Sequence, residues 1–192
     1  MTPSVLIVLG VLVAGVGLYV WVTYNRLTEL SVRKESAWGD IDVQLRKRWD
    51  LVPRLVETVG GYARHERGTL EEVVAARARA ADASGPQAQA GAESGLNKGF
   101  AGLFALAERY PELKADELFR SLHDQLIDVE DDLESARRYY NAVVRDLNVR
   151  VAQFPSSLVA RLTGKRAGEF FQITDLRAAG VPVVRFGDGA QS

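Results

Sequence analysis

The chain has 192 residues, with 24 basic side chains against 25 acidic ones and no cysteine. The balanced charge gives no general reason to expect a nucleic-acid partner. The absence of thiols excludes disulfide frameworks, thiolate metal sites and cysteine nucleophiles, and is compatible with a reducing compartment.

Everything before Arg26 is apolar or neutral, and Val5 to Val22 reads VLIVLGVLVAGVGLYVWV. A bilayer core is crossed by roughly 17 to 25 apolar residues in a helix, and a soluble helix is seldom apolar on every face. A signal peptide is the rival reading. It is disfavoured because no Lys or Arg precedes the run, the run is long for a signal core, and no small-x-small cleavage site lies between Trp21 and Arg26. The expectation is a retained transmembrane anchor over 1–25. Tyr19, Trp21 and Tyr24 form an aromatic belt at its end, and Arg26, Arg33 and Lys34 beyond it place the C-terminal body in the cytoplasm by the positive-inside rule.

Ala, Leu, Glu and Arg dominate the remainder, with no alternating β-branched runs, which predicts an all-α body. A first stripe, Leu27, Leu30, Ala37, Trp38, Ile41, Leu45 and Trp49, runs straight out of the span, with Lys34 weakening it. Pro53 removes a backbone donor and predicts a kink or a helix-helix turn over 50–53. A further stripe, Leu55, Val56, Val59, Tyr62 and Ala63, then Leu70, Val73, Val74 and Ala78, runs to about Ala83, with a bend or close contact expected at Gly60-Gly61. The small, polar stretch 84–95 reads as a flexible connection or a poorly formed helix start. A helix from Leu96 to Tyr110 and a turn at 111–115 follow.

The longest periodic segment starts at Asp116, an N-cap residue, and runs without Gly or Pro to Phe154-Pro155. Its apolar positions, Leu118, Leu122, Leu126, Val129, Leu133, Ala136, Tyr140, Val143, Leu147, Val151 and Phe154, recur every three or four residues as a heptad-like stripe. Such a helix, roughly 55 to 60 Å long at 1.5 Å per residue, needs a partner along its length, from the same chain or from another copy. Asn141 and Asn148, seven residues apart, read either as register-fixing amides beside the seam or as exposed ones. After Pro155, Leu158, Val159, Leu162, Phe170 and Phe171 alternate with Arg161, Lys165 and Arg166. The small apolar face, interrupted by Gly164 and Gly168, favours capping the bundle over lying on an anionic leaflet. In the tail, Val181 to Phe186 reads as a docking strand or as disorder. The expected architecture is a transmembrane helix continuing into an antiparallel four-helix bundle with long coiled-coil-like helices: anchor 1–25, helical bundle domain 26–171 and flexible tail 172–192.

No catalytic, cofactor-binding or metal residue is expected. Neither His65 nor His123 has a Glu three residues before it, as a carboxylate-bridged metal bundle requires, and His65-Glu66 does not continue as a zinc-protease motif. Asp128, Glu130, Asp131, Asp132 and Glu134 read as the solvated face of the long helix. No phosphate-cradling loop or nucleophile elbow occurs.

Four segments resemble the LemA family of bacterial membrane proteins: 42–66 (DVQLRKRWDLVPRLVETVGGYARHE), 69–77 (TLEEVVAAR), 104–115 (FALAERYPELKA) and 139–145 (YYNAVVR), the last followed by Phe154-Pro155. They cover most of 24–171 in the family's order; 84–95 and the residues after Gln172 fall outside. The resemblance implies a short N-terminal span, a cytoplasmic antiparallel helical bundle and no established catalytic activity, and one branch of the family is tied to building magnetosome membranes. The expected role is thus a non-enzymatic inner-membrane scaffold that self-associates as a homo-oligomer and organises or shapes membrane lipid, without cofactor or nucleic acid. The alternative is a membrane-tethered adaptor recruiting a protein partner.

Overall fold

A computed structural model describes residues 3–173. They form six helices and are all-helical in their regular structure: α1 (Pro3–Tyr62), α2 (Arg67–Asp82), α3 (Pro86–Arg109), α4 (Pro111–Ala115), α5 (Glu117–Ala152) and α6 (Ser156–Leu162). The tail expected to be flexible lies outside the described residues beyond Ile173, and with it the Val181 to Phe186 patch.

Of the kink or helix-helix turn expected at Pro53, the turn does not form over 50–53: α1 runs through the proline as one helix of 60 residues. Proline cannot donate to the carbonyl four residues back, so the Trp49 carbonyl loses its helical partner. Arg77 of α2 replaces it, its Nε donating to that carbonyl at 3.1 Å. The residues from Leu55 to Tyr62 therefore continue α1 instead of starting a second helix. Gly60-Gly61 does not interrupt it either, and the chain turns only at 63–66.

The segment 84–95 is also more ordered than its composition predicts. Pro86 opens α3, and Gln89, Ala90 and Glu93 are already buried in its first turns. Gly85 precedes it at φ 85°, a conformation that side chains other than glycine's rarely adopt. Within α3, Gly99 allows a close approach to α2: a Cβ there would lie 3.1 Å from Val73 Cγ2 and 3.3 Å from its Cα.

Asp116 caps α5 as its type predicts, Oδ1 accepting from the Phe119 amide at 2.8 Å. Its Oδ2 accepts from the Tyr62 hydroxyl at 2.7 Å. These two bonds, the backbone one first, hold the Asp116 carboxyl below its ordinary range. The same contact raises the Tyr62 phenol. Along α5 the predicted stripe is buried or half-buried from Leu122 to Leu147, but its first member is Phe119, Leu118 being exposed, and Phe154 beyond its end is exposed as well.

Two compact units result. The first joins α1 up to Gln44 with Asp132–Phe171; the second is built on Leu45–Asp131. The second holds the larger apolar core, in which Leu55 and Val59 of α1, Val73 and Ala76 of α2, Leu96, Phe100, Leu103 and Phe104 of α3, and Phe119, Leu122 and Leu126 of α5 come together. In the first, Leu27 and Leu30 of α1 share a core with Leu147 of α5 and Val159 and Ala160 of α6.

Candidate functional site at the membrane exit and the buried polar hub

The N-terminal part of α1 is long and apolar enough to cross a membrane, and none of its apolar window is buried. Packing begins at Thr23, followed by Leu27 and Leu30. The change from unburied to packed surroundings thus falls between Val22 and Leu27, where Tyr24 and the first charge, Arg26, lie. There Glu29 accepts from Arg26 at 2.7 Å and meets Arg33 at 2.6 Å. The Arg26 hydrogen bond, above all, lowers the Glu29 carboxyl. The basic collar predicted from the sequence is therefore partly neutralised by a carboxylate of its own helix.

The segment after α5 occupies this end of the first unit in two ways. Val159 and Ala160 of α6 close the core over Leu27 and Leu30, as a cap does. The chain then turns at Gly164, φ 69°, and lies extended along α5. Asn148 clamps it by donating from Nδ2 to the Gly168 carbonyl at 3.0 Å and accepting the Gly168 amide on Oδ1 at 2.7 Å. Asn141 repeats the pattern on Phe171, with both bonds at 2.9 Å. Seven helical residues rise about 10.5 Å and three extended ones about 10 Å, so a heptad of α5 measures three residues of an antiparallel strap. Tyr140 adds a bond from its hydroxyl to the Glu169 carbonyl at 2.9 Å. Its phenol is raised, by burial first and by the Glu169 charge second. Phe171 stands edge-on to Trp38, ring centroids 5.2 Å apart, and Trp38 also meets Tyr140 at 5.4 Å. Of the two readings open for Asn141 and Asn148, neither describes what they do: they are half-buried and grip the backbone of the strap. The heptad spacing was visible; its target, a stretch without periodicity, was not.

Sequence reasoning missed the charged centre of the second unit. Arg48 is fully buried, in phase with Ile41, Leu45, Val52 and Leu55 on the inner face of α1. Its guanidinium hydrogen-bonds the Glu93 carboxylate and the Asn97 amide oxygen, and its Nε lies 2.6 Å from Glu130 Oε1. It also stands 5.1 Å from the Phe100 ring centre. Glu93, equally buried, accepts from the Trp49 indole at 2.8 Å and from Gln89 at 3.0 Å, while Gln89 also donates to the Ala80 carbonyl at 2.9 Å. One guanidinium thus sits between two carboxylates, and the Trp49 indole and the Gln89 amide donate to the second oxygen of Glu93. The arrangement offers no open face for a substrate; it fixes how α1, α3 and α5 meet. Its signal in the sequence was an arginine at an apolar phase position. Glu130 also departs from the solvated face expected for its acidic run, since it turns toward Arg48 while Asp128, Asp131 and Asp132 stay exposed.

His123 is buried against the edge of Phe104, centroids 4.9 Å apart, with Asp124 3.6 Å away, and His65 is exposed. Among the described residues, no three His, Asp or Glu side chains stand together as a metal site would require.

An apolar helix emerging into a packed, all-helical body defines a membrane-associated helical protein. The family model that matches, over residues 37–186, is that of the LemA family, and the chain belongs to it. Among curated relatives, magnetosome protein MamQ 2 of Paramagnetospirillum magneticum is 29% identical over 91 residues, covering 47% of this chain and 34% of that protein. Magnetosome protein MamQ of Magnetospirillum gryphiswaldense is 29% identical over 90 residues, covering 47% and 33%. The alignment spans about a third of the length of either relative.

Proposed function

We propose that the chain is a single-pass inner-membrane scaffold with no catalytic activity, which self-associates and organises or shapes the bilayer. The reading comprises an anchor over 1–25, a cytoplasmic helical body over 26–171 in which the long helices pair antiparallel as a four-helix bundle, and a tail over 172–192. The observation that carries it is the continuity of α1, which passes from an unburied apolar stretch to a packed unit without a break. The buried hub and the strap support it, because both use polar residues to hold helices together rather than to line a cleft. The magnetosome relatives add a membrane context. The antiparallel pairing is supported by Leu27 and Leu30 sharing a core with Leu147, while Trp38 meets Tyr140.

The test is twofold. The full chain is expected to stay in the pellet after alkaline washing of membranes, and in spheroplasts its body should resist added protease until the inner membrane is opened. In mild detergent, native mass measurement should report more than one copy. A strictly monomeric protein at cellular density would refute the scaffold reading.

A further inference from the structure

The cap over the first unit has a second face. While Val159 and Ala160 point into the core, Phe154, Leu158 and Leu162, spaced four residues apart, stand out of it, 75%, 52% and 86% exposed. Leu158 and Leu162, four apart in α6, share one face of that helix, and Phe154 precedes them in the turn that leaves α5. Around it the charge is one-sided. From Leu147 to Gly168 the chain carries Arg150, Arg161, Lys165 and Arg166 and no acidic residue. Exposed apolar side chains in a stretch whose only charges are cations are unfavourable in water and complementary to an anionic lipid surface, where the apolar groups enter the acyl boundary and the cations meet phosphates.

The height of these side chains is fixed by the register of the two long helices. Trp38 of α1 meets Tyr140 of α5, and Leu30 shares a core with Leu147. Moving toward the membrane on α1 is therefore moving toward higher numbers on α5, at nearly one residue per residue. Continued past the end of α5, this register brings Phe154 level with Thr23, the first buried side chain of α1 and the residue that follows the apolar run. Phe154 thus stands level with the end of the apolar run, near Trp21 and Tyr24, and α6 lies beside the next turns of α1, its Val159 and Ala160 sharing a core with Leu27 and Leu30.

From these placements we propose that Phe154, Leu158 and Leu162 form a membrane-inserting ridge, seated in the headgroup layer of an anionic leaflet by Arg150, Arg161, Lys165 and Arg166. This rests on the anchored reading of the chain given above and adds a second, shallow contact with the same leaflet. A wedge that enters one leaflet only adds area to that leaflet, which supplies a physical route to bending.

The absence of cysteine makes the test clean. Single cysteines are placed in the full chain at Leu158 and Leu162, with a lipid reference at Leu12 within the span and an aqueous reference at Val43 on the exposed face of α1. Each is labelled with an environment-sensitive fluorophore. The proteins are reconstituted in nanodiscs of phosphatidylcholine with and without phosphatidylglycerol. At 158 and 162 the emission should move to the blue, and quenching by shallow doxyl-lipid should exceed that at 43 by at least about twofold, as for an interfacial helix. R161Q/K165Q/R166Q should reduce the quenching in the anionic discs toward its value in the neutral ones. Labels at 158 and 162 that read as aqueous as the one at 43 overturn the proposal, and so does quenching between labels of two copies without quenching by lipid, which would make the ridge a protein interface. Native mass of the same samples is read separately. Oligomers with a water-exposed ridge would refute the ridge alone, and monomers with a lipid-buried ridge would refute self-association alone.

Discussion

Arg77 and Pro53 form a thermodynamic pair that meets only through the Trp49 carbonyl. Proline at 53 leaves that carbonyl without its helical donor, and the Arg77 guanidinium supplies one from α2 at 3.1 Å. Replacing Arg77 with Met keeps most of the stem and removes the donor. A hydrogen bond from a charged group contributes roughly 1.5 to 3 kcal/mol when its partner would otherwise be stranded, and the half-buried position of Arg77 puts the cost at the lower end, about 1.5 kcal/mol. In a protein of this size that corresponds to a fall in Tm of about 3 to 6 °C. In a Pro53→Ala background, residue 53 has its own N–H and the Trp49 carbonyl regains its ordinary partner, so Arg77→Met should cost less than about 0.5 kcal/mol, mostly lost packing. The double-mutant cycle should show a coupling of about 1 kcal/mol. Urea unfolding of the full chain in mild detergent, followed by far-ultraviolet circular dichroism at constant denaturant slope, measures all four corners. An equal cost for Arg77→Met in both backgrounds would show that the arginine does not stand in for the missing helical donor.

Three other outcomes are expected. Asn141→Ala should remove both bonds to Phe171, lower stability by about 1 to 2 kcal/mol and speed hydrogen exchange at the Phe171 amide while leaving the amide of Gly168 protected by Asn148. Arg48→Met should cost about 3 to 5 kcal/mol by stranding the fully buried Glu93 carboxylate, whereas Arg48→Met combined with Glu93→Leu should recover a large part of that loss in thermal unfolding, because the stranded charge is removed while Glu130, partly exposed, keeps access to water. For Asp116, whose carboxyl is lowered in the folded state, the stabilisation is fully present above the unfolded value near pH 4 and is lost as pH falls through the folded value. Asp116→Asn preserves an N-cap but cannot titrate, so its stability should decline less steeply than that of the natural chain as pH falls below about 4, as judged from unfolding midpoints at each pH.

What the sequence disclosed followed from periodicity. The apolar run to Val22, the stripe from Leu27 to Leu45 and the heptads of α5 all repeat at helical spacing, and each is helical as expected. What it hid were compensations between distant residues. Pro53 announces a break by its own chemistry, and only Arg77, 24 positions later, cancels the penalty. Segment 84–95 shows little apolar face because two of its inward residues are polar, Glu93 pairing with Arg48 and Gln89 bonding Glu93. The strap has no period at all, since an extended chain held by side-chain amides needs only open backbone and one anchoring aromatic at Phe171. Of the candidate site, the basic charges after Pro155 were visible, and so was the ambiguity of their partner. That the segment could cap with Val159 and Ala160 and still present Phe154, Leu158 and Leu162 outward follows only from the register of α5 on α1.

The helix that leaves the apolar window at Val22 contains no joint before it enters the packed unit at Leu27. A transmembrane helix answers a bilayer thicker or thinner than itself chiefly by changing its angle to the normal. In the anchored arrangement proposed above, no swivel separates the span from that unit, so the angle would be passed on to it and bilayer thickness would become the unit's attitude, as a rudder post turns its blade.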